Sequence, residues 1–421
     1  MKKFNFIPRQ ILDSRGNPTI EIICKLNYKI IARGSSPSGA SCGTNEAFEI
    51  RDNITELFNG KSILKTFNIV NDLNKQIIFS ETSSLKNIDE QLIKLDNTKN
   101  KNNLGGNTTT AFSFCILDLI TNINNIEKYE YIKKISNNND NLFIPTPMAN
   151  ILNGGKHGSG GLKIQEFMIY PNTKFDITKQ IQLIYEVTLQ LKKCLINKYG
   201  KISVNFGDEG GFVPCGINTN YEAIDIIIEA INNSKLIPND DIFIALDCAA
   251  SEFYDKKTKL YEIEDNLKLN GDELIKYYSD MINKYPLIKS IEDPFDENDY
   301  LYWIKFNKLF KNKINIVGDD LFCSNSNLII QGLDNEWANS LLLKVNQIGT
   351  ITESIDSAKL MLKLNKIVIV SHRSGETNQN FIIDLAVGLG AQFVKIGGLC
   401  RGERISKYNR LLEINDLLLN N

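Results

Sequence analysis

Six short apolar runs in the second half of the chain each carry ionisable side chains at one end. They are "IFIALD" ending at Asp247, "IKSIED" with Glu292, "INIVGDD" with Asp319 and Asp320, "SLLLKVN" with Lys344, "KIVIVSHR" with His372 and Arg373, and "QFVKIGG" with Lys395. Three carboxylates gathered in one place repel one another, and a hard divalent cation with oxygen ligands, Mg²⁺ above all, relieves that repulsion. One strand-end acid alone reads as a helix cap; three in register point to metal. Spacing does not choose between Asp319 and Asp320. Lys344 and Lys395 interrupt apolar runs, where lysine is rarely buried without a partner. Burial and neighbouring cations lower an amine's pKa, which suits a general base.

Three glycine-containing segments hold the remaining chemistry. "NFGDEGGFVP" (205–214) sets Asp208 and Glu209 before a glycine pair, a turn whose backbone can approach a substrate closely. "NGGKHGSGGLKIQEF" (153–167) contains His157, Gln165 and Glu166 in a loop with the composition of a lid. "SPSGASCG" (36–43) offers hydroxyls and carbonyls to a cation or a phosphate. The chain has only two histidines, His157 and His372, and both fall in polar loops with little core around them.

The elements that must position these groups follow from period and spacing. From Asp319 through Lys344 and His372 to Lys395 the interval is about 25 residues, close to one strand, one helix and their loops. Repeated βα units with polar strand ends describe a (β/α) barrel, whose strand C-termini converge on one mouth. A doubly wound open sheet shares the local pattern but concentrates function at its switch point. Six functional strand ends in a row favour the barrel. Earlier in the chain, "PTIEIICKL" (18–26) and "YKIIARG" (28–34) read as a small antiparallel sheet. Between about residues 45 and 135 the period turns helical, as in "AFEIRDNITELF" (47–58) and "TTTAFSFCILDLITNI" (108–123). "SNNNDN" (136–141) reads as a linker.

Bulk properties exclude several classes. A chain of 421 residues exceeds one ordinary core, which implies two domains, one of them barrel-sized. A net charge of −2 leaves no basic surface for nucleic acid. No run of about 18 apolar residues exists to span a membrane. The cysteines are scattered without a CxxC pair, as expected of reduced thiols in a cytosol. "MKKFNFIPRQ" has no apolar segment behind its lysines, so no signal peptide is expected.

Taken in order, "RQILDSRGNPTIE" (9–21), "PSGASCGTNEAFEIRD" (37–52), the 153–171 and 207–214 segments, "ALDCAASEFY" (245–254), "SIEDPFDEND" (290–299), "GDDLF" (318–322), "LLLKVNQIGT" (341–350), "SHRSGET" (371–377) and "CRGERISKYNRLL" (400–412) resemble the enolase family from end to end. That resemblance implies an α/β protein, with an α+β N-terminal domain (1–136) capping a modified (β/α)8 TIM-type barrel (142–421). It implies a cytoplasmic homodimer, with room for a cell-surface or secreted fraction, and no nucleic-acid or membrane partner. Two Mg²⁺ per site and the dehydration of 2-phosphoglycerate to phosphoenolpyruvate follow from it too. Asp247, Glu292 and Asp319 match ligands of the first ion, and Ser41 matches a ligand of the second. Lys344 matches the base, Glu209 the general acid and Glu166 its support. Gln165, Arg373, Ser374 and Lys395 match substrate contacts, and His157 and His372 match active-site histidines. Arg373 and Ser374 suit a phosphorylated substrate, unlike the acid sugars taken by other barrel dehydratases. Departures from the family pattern fall in loops: Gly-Ser-Gly-Gly after His157, Cys42 beside Ser41, Asn378–Gln379 after "SGET", and "GGLC" at 397–400.

Overall fold

The protein is described by a computed structural model covering residues 4–40, 43–158 and 161–420. The strands Pro18–Leu26 and Lys29–Ser35 form the expected antiparallel hairpin. Asn27 and Tyr28 at its tip both take positive φ (49° and 66°), the twist a two-residue hairpin loop requires. A third strand, Phe4–Leu12, pairs antiparallel along the whole of Pro18–Leu26. The helix Gly106–Asn124 packs on this sheet, buried on nearly every side. Gly34 permits that approach, because a Cβ there would lie 2.2 Å from the Ala111 carbonyl oxygen.

The helical reading of residues 47–58 is corrected. This stretch holds no α-helix; a three-residue 3-10 turn, Phe58–Gly60, begins only at its end. Positive φ at Asn53, Phe58 and Asn59 breaks any helical path. Backbone bonds from Phe48 N–H to Asn100 O and from Gly106 N–H to Phe48 O tie the segment to its neighbours instead. The Asp52 carboxylate accepts from Leu64 and Lys65 N–H, capping the helix Leu64–Gln76. Ala47 and Ile50 are buried by an extended strap whose apolar spacing only mimics a helical period.

Eight strands then close a ring in the order Thr146–Asn153, Glu166–Pro171, Ile242–Asp247, Ile288–Glu292, Asn315–Gly318, Ser340–Leu343, Ile367–Ser371 and Phe393–Lys395, the last pairing with the first. All neighbours are parallel except at Glu166–Pro171, which runs antiparallel to both strands beside it. The closed ring excludes the open-sheet alternative. Met148, Met168, Tyr170, Val317, Leu342 and Ile369 cluster together from strands round the ring, as a packed barrel interior requires. Intervening helices cover the outside; Asp176, Thr219 and Thr350 cap three of them through side-chain oxygens. Among the described residues, no helix is long and apolar enough to cross a membrane.

Candidate active site

Every functional run delivers its polar residue to the same end of the ring. Asp247, Glu292 and Lys395 are the last residues of their strands, while Asp319, Lys344 and His372 follow theirs within a residue. On one side of the mouth the buried Lys395 ammonium lies 2.7 Å from Asp247 Oδ2, 3.0 Å from both Glu292 oxygens and 3.2 Å from Glu166 Oε1. Burial disfavours its charge, but Asp247, Glu166 and Glu292 outweigh burial and hold the amine well above its usual range. Lys344 Nζ donates to Asp319 Oδ2, and this pairing likewise overcomes burial and raises its pKa. Asp319 Oδ1 accepts from Gln347 Nε2 at 2.8 Å. The Asp293 carboxylate, on a residue held at positive φ, accepts the Asp319 and Asp320 N–H groups at 2.9 and 2.8 Å and fixes the turn carrying both acids.

Asp247, Glu292 and Asp319 offer the ligand type a hard divalent ion takes, although with Lys395 and Lys344 paired to them their oxygens do not all lie within 4.8 Å of one another. All three lie buried at successive strand ends and offer only oxygen ligands. Burial, then Asp247, push Glu292 well above the carboxylate range: three acids outnumber the two ammonium groups, and the surplus acid favours a proton that a divalent ion would displace. Asp293, Asp319 and Asp320 form a second group whose oxygens lie within 4.8 Å of one another. Ser41, expected at a second ion, lies outside the described residues, as do Cys42, Ser159 and Gly160.

Across the mouth stands a different cluster. Glu166 leads the second strand of the ring and Lys344 follows the sixth, so three strands of an eight-membered ring lie between them in either direction. They therefore face each other. His157 Nδ1 is 3.5 Å from Glu166 Oε1 and 3.7 Å from Glu209 Oε1. Burial, followed by the neighbouring Glu209, pushes Glu166 up to about 7. Glu209 is equally buried, but His372, His157 and Arg404 outweigh burial and hold it well below the carboxylate range. His372 Nε2 lies 3.1 Å from Glu209 Oε2, and burial lowers the imidazole to about 4.

Arg373 and Ser374 line the same pocket as Gln165, Lys344 and Lys395. Among the described residues, only Ala40, contributed by the N-terminal domain, brings an apolar side chain to it. Arg373 Nη1 and Nη2 meet the two Glu46 oxygens at 2.9 and 3.2 Å, and Nη1 also donates to Asn346 Oδ1. Ser374 Oγ and Gln165 Oε1 are buried with no hydrogen-bond partner among the described residues. Gln165 Nε2 donates to Asp247 Oδ2 at 3.3 Å. The structure thus gathers every described candidate from the sequence into one mouth.

Sequence reasoning passed over Glu46, Asp293, Asn346, Gln347 and Arg404. All five lie inside the motifs that carry the resemblance. Their only signal was proximity to motif residues already singled out.

A barrel mouth with oxygen ligands for a hard cation, amines on one wall and a carboxyl–imidazole group on the other defines a metal-assisted enzyme that moves protons on both faces of a bound molecule. Comparison makes the class specific. A family model for the enolase C-terminal TIM barrel domain matches residues 141–421, and one for the enolase N-terminal domain matches residues 5–132. Enolase from Ehrlichia chaffeensis (strain ATCC CRL-10679 / Arkansas) is 44% identical over 414 residues, 98% of this chain and 96% of the relative. Enolase from Ehrlichia ruminantium (strain Welgevonden) is 43% identical over 415 residues with the same coverage. The chain belongs to the enolase family.

Proposed function

We propose that this protein catalyses the reversible dehydration of 2-phosphoglycerate to phosphoenolpyruvate, a hydro-lyase reaction of glycolysis and gluconeogenesis. The observation that carries this reading is the placement of Lys344 and the Glu166–Glu209 pair on opposite walls of one buried polar pocket. A base on one face and an acid on the other suit removal of a proton and a hydroxide from adjacent carbons.

Lys344 takes the C2 proton. Its amine is an ammonium paired with Asp319; engaging that carboxylate with a cation would remove the partner that raises the Lys344 pKa and favour the free base. Asp247, Glu292 and Asp319 would hold the first of two Mg²⁺, and Ser41 would help hold the second. When bound, the ions supply the positive charge that makes the dianionic aci-carboxylate accessible, the pattern the general account of enolase-superfamily sites already describes. Lys395 adds fixed charge to the same oxygens. Glu209 delivers the proton that leaves with hydroxide, and Glu166, with His157 between them, is the reservoir that recharges it. Arg373 and Ser374 bind the phosphate, and Gln165 and His157 orient the remaining groups.

The domains divide at 1–136 and 142–421, the chain works as a homodimer, and it acts in the cytoplasm. A spectrophotometric assay on 2-phosphoglycerate tests the central claim. Phosphoenolpyruvate absorbance rises only with Mg²⁺ present; a well-folded protein that gives no Mg²⁺-dependent rise overturns it.

A further inference from the structure

Arg404 opens the C-terminal helix Gly402–Leu419 and is fully buried, an unusual state for an arginine. Its guanidinium is spent on one small region. Nη1 donates to the Arg373 carbonyl at 2.7 Å and reaches His372 Nδ1 at 2.6 Å, while Nη2 donates to the Ser374 carbonyl at 2.7 Å. Arginine carries no acceptor. The short contact to Nδ1 is therefore a hydrogen bond only when that nitrogen is bare. The imidazole proton then sits on Nε2, which faces Glu209 Oε2 at 3.1 Å. Gly397 makes room for the pair: a Cβ there would lie 3.0 Å from both His372 Cε1 and Arg404 Cδ.

We infer that Arg404 is a positioning residue that locks His372 as the neutral Nε2–H tautomer, a permanent hydrogen-bond donor to one oxygen of Glu209. This rests on the reading of Glu209 as the acid and deepens it. With Oε2 engaged by a donor, the proton that leaves with hydroxide is carried on Oε1, the oxygen on the His157 side. His372 itself neither gives nor takes a proton during turnover. The charged groups facing its ring are Glu209 from the 205–214 turn, Arg404 from the C-terminal helix, and Glu376 from its own loop. Of these, Arg404 opposes the imidazolium and the two glutamates favour it, so removing Arg404 lets the ring charge.

Histidine-labelled protein tests this directly, since the chain has two imidazoles to assign. Ring ¹⁵N NMR of the substrate-free enzyme is expected to show His372 with a bare Nδ1, a protonated Nε2 and no titration between about pH 5 and 8. In Arg404→Met, the ring is expected to titrate inside that window, and kcat to fall about tenfold or more with a new acid-limb ionisation at the same pH. Arg404→Lys, which keeps the charge and one donor, should restore the bare Nδ1 in part. A wild-type ring protonated on Nδ1, or one that titrates in that window, overturns the proposal even if no Arg404 variant folds. So does an Arg404→Met protein that raises only KM and leaves the ring signature unchanged, the outcome of a purely structural role. None of these spectra needs turnover, so failure of the assigned reaction and failure of the lock are separately visible.

Discussion

The two walls of the mouth are built on opposite principles. The Lys395–Asp247–Glu292 and Lys344–Asp319 wall is a lattice of full charges in which ammonium groups pair with the acids expected to hold metal. The Glu166–Glu209–His157–His372 group, which meets Lys395 through Glu166 at 3.2 Å, is tuned instead by burial and by neighbouring charges and hydrogen bonds of the protein. One wall is finished by a cation. The other is complete as folded. Charge is costly to bury unless it is paired, so a site that must change its charge during turnover benefits from placing the exchangeable part on one side.

The comparison breaks most visibly when the cation is withdrawn. Chelating divalent ions is expected to abolish both C2 proton exchange and dehydration, with Mg²⁺ restoring both, while the His372 ring spectrum stays unchanged; a ring signal that moves with chelation would join the walls into one unit. Next, Lys344→Ala should lower C2 exchange about ten-thousand-fold while retaining Mg²⁺ binding by titration calorimetry. Normal exchange in that variant removes Lys344 as the base. Glu209→Gln touches only the other wall: it should still exchange the C2 proton but dehydrate about a hundredfold to a thousandfold more slowly. Full dehydration by that protein refutes the acid assignment. The smallest effect is on stability. His372 has a folded-state pKa of about 4 against about 6.5 unfolded. The unfolded chain thus takes up the proton first, and stability present above pH 6.5 is lost as pH falls towards 4. The loss from this group is about 3 kcal/mol. Urea unfolding at pH 7 and near pH 4.5 checks it, and an equal acid loss in His372→Gln would assign the effect elsewhere.

What the sequence conveyed followed from periodicity and strand-end chemistry. A β-strand buried in a barrel reads as an apolar run, and its last residue must be polar if it meets solvent or ligand, so Asp247, Glu292 and Lys395 announced themselves. The antiparallel strand Glu166–Pro171 did not, because "EFMIYP" carries no mark of direction and its partners are set by tertiary pairing. Residues 47–58 misled for a related reason: Ala47 and Ile50 sit three apart in any conformation, and only the positive φ at Asn53 and Phe58 rules out the helix. Arg404 was invisible because the sequence of a helix does not say which of its charges faces inwards. Choosing Asp319 over Asp320 as a metal ligand needed the resemblance, and its pairing with Lys344 emerges only in the fold.

The seam between Phe393–Lys395 and Thr146–Asn153 bears on how the protein comes into being. It aligns Lys395 with Met148 and is the contact that turns a sheet into a cylinder, joining residues from opposite ends of the barrel sequence. Such distant contacts are slow to form, because the loop entropy they cost must be met before they give anything back. Lys395 lies in the sealing strand itself, so during refolding the appearance of turnover marks the moment the cylinder shuts.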